Sequence, residues 1–183
     1  LERQRITGLL IVKDGQIVVE RYRYGRTEDA RFLSFSMAKS VTSLLVGAAL
    51  ARGVVASLDD TAQKYATALA GSPYGPTSHR ALLRMSPGLT FTERYDGKDD
   101  VARLSRSVST GQPPVVDVLR AIADRHSPSG QKFVYASAET EVLGRVLTAA
   151  SGRSLAALTQ DWLWSPSARS ATPSGAPIPR ARH

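Results

Sequence analysis

The chain has 183 residues, of which 42% are hydrophobic and 22% are charged, and its formal net charge is +8. These values are typical of a globular domain and exclude a disordered or fibrous chain. No apolar run approaches the roughly 18 residues that a membrane span needs. The absence of cysteine excludes disulfides and thiolate chemistry. The histidines are few and far apart, which disfavours a zinc hydrolase. Their scarcity also argues against a Ser-His-Asp triad, for which His79 and His126 are the candidates.

The positive charge is spread along the chain, and its arginines often lie beside acidic residues. A nucleic-acid binder concentrates such charge on one stripe or helix, so we expect a solvated surface and no nucleic-acid partner. No signal peptide is visible at the start, which favours a cytoplasmic location, but the chain also lacks an initiator Met. The compartment and the oligomeric state therefore stay open.

The first predicted element is a β-hairpin. Residues 6–12 are strand-like and apolar, and residues 17–24 return as a second strand. Asp14 and Gly15 between them form the Asp-Gly signal of a two-residue turn. An isolated hairpin is marginal in water, so we expect its apolar surface to lie exposed unless further strands cover it.

A helix is predicted next, from about residue 36 to residue 52, with Gly53 placed to end it. Apolar residues at helical spacing predict its buried face: Met37, Val41, Leu44, Leu45 and Ala48.

The remainder of the chain reads as short helices joined by loops. Helices are predicted over residues 58–69, 79–85, 114–125, 139–150 and 155–164. The helix at 139–150 should bury Val142, Leu143, Val146 and Leu147, and Gly152 should close it. Residues 91–111 should be irregular with some helix, and residues 132–135 strand-like. We assign residues 1–166 to one partial domain and residues 167–183 to a disordered tail of Arg, Ser, Ala and Pro, which an out-of-frame reading would also produce.

Ser36 and Lys39 form an S-x-x-K motif at the amino-terminal end of the long predicted helix. A serine hydroxyl needs a base to act as a nucleophile, and residues three apart on a helix share one face. The apolar helix surface favours the neutral amine of Lys39, which is the form that accepts a proton. The alternative is that Ser36 only caps the helix, a position that Ser favours.

Two other features qualify this motif. Ser129 and Lys132 also match S-x-x-K, but they fall in a turn without a following helix, so we interpret that match as coincidence.

Tyr135 lies about a hundred residues after Ser36 in the sequence. A phenol held near a lysine could relay a proton to a leaving group. Taken alone, a tyrosine such as Tyr135 is more often a packed aromatic than a catalytic group.

Together these stretches resemble the serine β-lactamase and penicillin-binding-protein superfamily. The resemblance rests on the hairpin, on residues 35–40 (FSMAKS), on residues 82–88 (LLRMSPG) and on residues 135–144 (YASAETEVLG). The nearest likeness is to the class C-like branch with 6-aminohexanoate-dimer hydrolases, esterases and D-aminopeptidases. It covers about residues 6–166.

The resemblance implies that Ser36 forms an acyl-enzyme, that Lys39 is the base and that Tyr135 assists proton transfer. Tyr95 falls where the dimer hydrolases carry a substrate-capping tyrosine. Ser137 occupies the place of the Asn in the penicillin-recognising Tyr-x-Asn, which points away from a dedicated β-lactamase and towards a hydrolase or esterase. No metal or organic cofactor is implied.

The family's third motif, a K-T-G or H-x-G strand, does not follow Tyr135 in these 183 residues. The expected fold is therefore of the α/β (α+β) class: a partial β-lactamase/transpeptidase-like fold with an amino-terminal hairpin and a helical region, and without the carboxyl-terminal sheet strands. The expected function is hydrolysis of a small-molecule amide or ester. The alternatives are an inactive truncated gene product and a non-catalytic penicillin- or peptidoglycan-binding module.

Overall fold

The computed structural model describes residues 5–170, with side chains up to residue 167. The described chain divides into two compact units. One is the amino-terminal segment that ends at Phe35, and the other runs from Ser36 to Ser170. In the described residues, no helix is both long and apolar enough to cross a bilayer.

The amino-terminal unit contains the predicted hairpin. Strand β1 (Gly8–Lys13) pairs antiparallel with strand β2 (Gln16–Tyr22). Asp14 and Gly15 join the strands with φ values of 51° and 76°. Positive φ at both central residues is the geometry that two-residue hairpins require, so the Asp-Gly signal correctly located the turn.

Apolar side chains are exposed on the hairpin, as predicted. Neighbouring residues of a strand point to opposite faces of the sheet. Because consecutive apolar residues are exposed here, apolar side chains are accessible on both faces of the hairpin. The residues concerned are 42–55% exposed: Leu10, Ile11, Val12, Ile17 and Val18.

The second unit is helical. Its first helix, α1 (Ala38–Ala51), is entered through a 3-10 turn at Phe35–Met37. The helices that follow are α2 (Ala62–Tyr65), α3 (His79–Leu83), α4 (Asp100–Thr110), α5 (Val115–Arg120), α6 (Ser137–Ser151), α7 (Leu155–Thr159) and α8 (Ser165–Ser170), with a 3-10 turn at Thr67–Leu69 and a π-helical turn at Gln160–Trp164.

Helix α6 lies at the centre of this unit and packs against α1, α2, α3, α4 and α7. Its predicted inward face is confirmed, because Val142, Leu143, Val146 and Leu147 are all buried in the hydrophobic core. Gly152 ends the helix with a φ of 67°, in the left-handed conformation that glycine adopts without strain.

The predicted buried face of α1 was wrong in part. Met37 is 70% exposed and Leu44 is 60% exposed, whereas Leu45 is buried as expected. The buried side chains of α1 are Thr42, Leu45, Val46 and Ala49. The sequence of α1 is apolar almost all round, so its periodicity fits more than one stripe and cannot select the face that meets α6.

The strand predicted at residues 132–135 was also wrong. This segment has no regular secondary structure and no ladder partner among the described residues. Single backbone hydrogen bonds hold it instead: the Val134 N–H donates to the Met85 carbonyl at 2.8 Å, and the Gly130 N–H donates to the Ser86 carbonyl at 2.7 Å. A short apolar run looks the same whether it joins a sheet or lies along a loop.

The loop that receives these hydrogen bonds is packed too closely for a side chain at Gly88. A Cβ there would come within 2.1 Å of the Ser127 carbonyl oxygen, and the φ of Gly88 is 79°. Its carbonyl also accepts from the His126 N–H at 3.0 Å. Gly88 therefore lets the 82–88 stretch support the segment that leads to Tyr135.

The carboxyl-terminal helix is longer and less regular than predicted. The predicted helix at 155–164 appears as α7 followed by the π-helical turn, and α8 continues it to Ser170. The predicted domain boundary at residue 166 thus falls inside α8. The rest of the predicted tail, residues 171–183, lies outside the described residues, so its disorder stays a prediction.

The corrected face of α1 is testable with two adjacent leucines. Leu45→Ala should lower the free energy of unfolding by about 2–5 kcal/mol, because it empties a buried site. Leu44→Ala removes an exposed side chain and should change it by no more than about 0.5 kcal/mol. Urea denaturation of the two variants measures both effects, and an equal loss at Leu44 would show that its face of α1 is covered.

Candidate active site

Ser36 lies in the 3-10 turn that enters α1, and its side chain is exposed. The residue before it, Phe35, has a φ of 44°, a conformation that is unusual for a bulky side chain and typical of strained turns. The N-cap of α1 is Met37, and no side chain caps this end of the helix. Ser36 is therefore not the helix cap that the alternative interpretation required.

Lys39 reaches Ser36 one turn further along. Its Nζ donates a hydrogen bond to the Ser36 Oγ at 2.8 Å, within the distance expected for this pair. Lys39 itself is half-buried. The contact places the amine where it could accept the hydroxyl proton once it is neutral.

Tyr135 joins this pair from a distant part of the sequence. The Lys39 Nζ lies 5.1 Å from the centroid of the Tyr135 ring, which is a cation–π distance. Tyr135 is 42% exposed, so it is not a packed core aromatic. The packing of α6 against α1 brings the two motifs together across about a hundred residues.

The competing residues do not form such a site. Ser129 and Lys132 are exposed in a turn without a following helix, and no hydrogen bond joins them in the described structure. His79 is fully buried, its Nδ1 lies 3.3 Å from the Ser57 carbonyl oxygen and its ring packs near Tyr65. Burial lowers the pKa of His79, and its contacts belong to the core.

Glu93, which the sequence did not single out, connects the two predicted substrate-binding residues. Its carboxylate accepts from the Ser137 N–H at 2.7 Å, from the Ser137 hydroxyl at 2.9 Å and from the Tyr95 hydroxyl at 2.5 Å. A carboxylate is favourable at a helix N-terminus, and α6 has no side-chain cap of its own. One side chain thus holds both Tyr95 and the start of α6.

The loop that carries Glu93 is itself fixed by two buried aspartates. The Asp99 carboxylate accepts from the backbone N–H groups of Arg94 and Tyr95 at 2.6 and 2.7 Å. The Asp100 carboxylate accepts from the Thr92 N–H at 2.8 Å. Burial by itself would raise the pKa of Asp99, but the backbone donors outweigh it and hold that pKa below its usual value.

Tyr95 stands at the surface of this loop and is 71% exposed, with a φ of 60°. Its hydrogen bond to Glu93, together with partial desolvation and the charge of Glu93, raises the pKa of Tyr95 to about 12. The contacts therefore join Tyr95 to Ser137 through Glu93, and Tyr135 to Lys39 and Ser36 through the lysine.

A second acid, Glu139, is buried in the first turn of α6 and is only 1% exposed. Burial raises the pKa of Glu139 to about 8. Its own backbone N–H and the positive charge of Lys39 oppose the shift, and the negative charge of Glu93 adds to it. The phenol of Tyr74 is fully buried, and burial together with the charge of Glu139 raises its pKa as well. Among described residues, neither the Glu139 Oε2 nor the Tyr74 hydroxyl makes a hydrogen bond of ordinary geometry. The two groups are nevertheless neighbours, because hydrogen bonding between them raises the pKa of Tyr74 and opposes the rise in the pKa of Glu139.

The role of Glu93 predicts a change in the ionisation of Tyr95. In Glu93→Gln the pKa of Tyr95 should fall from about 12 towards 10.0, because the charged acceptor is replaced by a neutral amide of similar shape. An alkaline titration followed by tyrosinate absorbance should show one additional phenol ionising in that interval. Introducing Tyr95→Phe into both the native chain and Glu93→Gln should remove the difference between their titration curves. If the native chain and Glu93→Gln already give superimposable curves while Tyr95 is present, the assignment is contradicted.

Comparisons with known proteins identify the family of the chain. Residues 1–183 match the family described as Beta-lactamase. A 6-aminohexanoate-dimer hydrolase from Paenarthrobacter ureafaciens is 28% identical over 174 residues, which cover 90% of this chain and 43% of that protein. The chain thus spans less than half the length of this curated relative.

Solved structures show the same fold at low sequence identity. A proposed 6-aminohexanoate-dimer hydrolase from Bacillus anthracis superposes with a TM-score of 0.71 at 23% identity, over 84% of this chain and 42% of that one. The D-alanine carboxypeptidase AmpC from Burkholderia cenocepacia gives 0.65 at 24% identity, over 88% and 43%. The described part is a partial β-lactamase-like fold with a two-stranded sheet. With the match across residues 1–183, the chain belongs to the β-lactamase family.

Proposed function

We propose that this chain carries the nucleophile of a serine hydrolase, which cleaves an amide or ester through an acyl-enzyme on Ser36. The observation that supports the proposal best is the 2.8 Å hydrogen bond between Lys39 and Ser36, with Tyr135 against the same lysine. Membership of the β-lactamase family and the similarity to a 6-aminohexanoate-dimer hydrolase support the same reaction class.

In the proposed reaction, neutral Lys39 takes the proton of the Ser36 hydroxyl while Oγ attacks the substrate carbonyl carbon. The resulting oxyanion would accept a hydrogen bond from the backbone N–H of Ser36, in the 3-10 turn that enters α1. Collapse of this intermediate breaks the bond to the leaving group, which takes a proton relayed through Tyr135. Water then attacks the acyl-enzyme by the reverse sequence and restores Ser36.

The substrate would lie against Tyr95 and Ser137. The Ser137 hydroxyl donates to Glu93, so its oxygen lone pairs remain available to a substrate N–H. The exposed ring of Tyr95 provides an apolar surface over the same region. We infer a small-molecule amide or ester as the substrate class, in line with the relative whose name is a dimer hydrolase.

Turnover by the 183 residues alone should be slow. Neither a K-T-G nor an H-x-G sequence follows Tyr135 within them, and the resembled family takes its second oxyanion donor from that strand. Loss of one such donor costs on the order of a hundred- to a thousand-fold in rate. An activated reagent that needs little oxyanion stabilisation is therefore the better probe.

The proposal predicts that a fluorescent fluorophosphonate labels the chain on Ser36, because the reagent captures a serine activated by a neighbouring base. Ser36→Ala should abolish the label, and Lys39→Met should slow labelling by roughly a hundred- to ten-thousand-fold. Mass spectrometry of the peptide that contains Ser36 identifies the site.

The second S-x-x-K sequence provides a matched control, since Ser129→Ala and Lys132→Met should leave labelling unchanged. Labelling together with hydrolysis of a nitrophenyl ester supports the hydrolase. A label on Ser36 without any hydrolysis would favour the binding module, and no labelling would favour the inactive gene product. A label that survives in Ser36→Ala would place the nucleophile elsewhere.

A further inference from the structure

A cavity lies between α4 and the segment of residues 113–121, and the proposed reaction does not use it. Its volume is about 300 Å³. Small-molecule sites in proteins occupy roughly 300–1,000 Å³, so the cavity has room for a small ligand. The side chains that line it come from α4, from the connection after α4 and from α5, and Ser36, Lys39 and Tyr135 are not among them.

One side of the cavity is apolar. This apolar wall consists of Pro113, Val118 and Ala121. Its position relative to α4 is fixed by the packing of α4 against α5 and by the Ser107 hydroxyl, which donates to the Pro113 carbonyl. A short hydrocarbon chain that lies against this wall would lose contact with water at no cost in reorganising the helices.

The two acids of the cavity already have partners. The Asp100 carboxylate accepts from the N–H and the hydroxyl of Thr92, at 2.8 and 2.6 Å, and forms an ion pair with Arg103. The Asp117 carboxylate forms an ion pair with Arg120, at 3.2 Å. Neither acid therefore offers an unpaired negative charge to a ligand.

Arg106 is the lining residue whose charge is left over. It lies one turn after Arg103 on α4, and its guanidinium makes no hydrogen bond or ion pair with another described residue. Water can solvate an exposed arginine, so the lack of a partner alone means little. Its place at the edge of a cavity with an apolar wall gives the site one cation beside a hydrophobic surface.

We propose that this cavity binds a small carboxylic acid, with its carboxylate on the Arg106 guanidinium and its short aliphatic chain against the apolar wall. The guanidinium is a planar fork of donors that matches the two oxygens of a carboxylate. An ammonium ligand is disfavoured, because both acids are already paired. The inference goes beyond the proposed function and does not depend on it, although cleavage of an amide or ester would also release an acid of this class.

Titration with hexanoate tests the site directly. The backbone amide signals of the 15N-labelled chain, followed by NMR at constant ionic strength, should shift in a saturable way in α4 and in residues 113–121. We expect a Kd on the order of millimolar, because the cavity is open and the ligand has few atoms. Acetate lacks the chain and hexylamine carries the opposite charge, so each should bind at least about tenfold more weakly.

Two variants with matched controls locate the ligand. Arg106→Met keeps an apolar stem but removes the cation, and it should weaken hexanoate binding by about tenfold or more. Arg84→Met is its control, since Arg84 is another exposed arginine whose side chain has no hydrogen bond or ion pair to the described residues, and it lies outside the cavity. Ala121→Leu should fill the cavity and weaken binding, whereas Ala123→Leu, at an exposed position outside it, should not.

The inference is wrong if hexanoate produces no saturable shifts, or if Arg106→Met and Arg84→Met weaken binding equally, which would mean that net charge alone attracts the acid. Equal binding of acetate or hexylamine, or a Kd that Ala121→Leu leaves unchanged, would also overturn it. The proposed function is tested separately by labelling at Ser36, so either conclusion can fail without the other.

Discussion

The packing of α1 against α6 is the contact on which the rest of the site depends. The start of each helix carries one of the candidate catalytic side chains. Lys39 lies in the first turn of α1, and Tyr135 lies two residues before α6. Both helices contribute side chains to the same hydrophobic core, including Leu45 and Val146. Since burial of such side chains is the main favourable term in folding, the 5.1 Å approach of Lys39 to Tyr135 is a by-product of core formation.

Glu93 fixes the second part of the site, because one carboxylate can accept hydrogen bonds from several donors at once. It accepts two hydrogen bonds from Ser137 at the uncapped start of α6 and a third from the Tyr95 hydroxyl. The loop reaches this position because Asp99 and Asp100 bind its backbone N–H groups. The surface that we propose faces the substrate is thus held by hydrogen bonds between backbone N–H groups and carboxylates, which are strong, directional partners.

The sequence predicted the elements whose signals are local. The Asp-Gly turn, the glycine at the end of α6 and the S-x-x-K spacing each depend on a few adjacent residues, and each lies where expected. The buried face of α1 was assigned wrongly in part because α1 is apolar on nearly all sides, so its sequence alone does not show which side is buried. Leu44 and Leu45 are equivalent by sequence, and only the packing of α1 against α6 distinguishes them. Glu93 was missed because its contacts to the start of α6 come from Ser137, 44 residues away, a distance that no local pattern encodes.

Glu139 was visible in the sequence as an inconsistency. With Val142, Leu143 and Val146 it follows the i, i+3, i+4, i+7 spacing of the buried face of α6, so the pattern that predicted that face also placed an acid inside it. An apolar residue there would avoid the cost of burying a carboxyl group. Violations of a consistent local pattern tend to occur at functional sites. The two acids associated with α6 differ in this respect: Glu93 accepts hydrogen bonds from three donors and fixes geometry, whereas Glu139 is buried in the core beside the Tyr74 phenol.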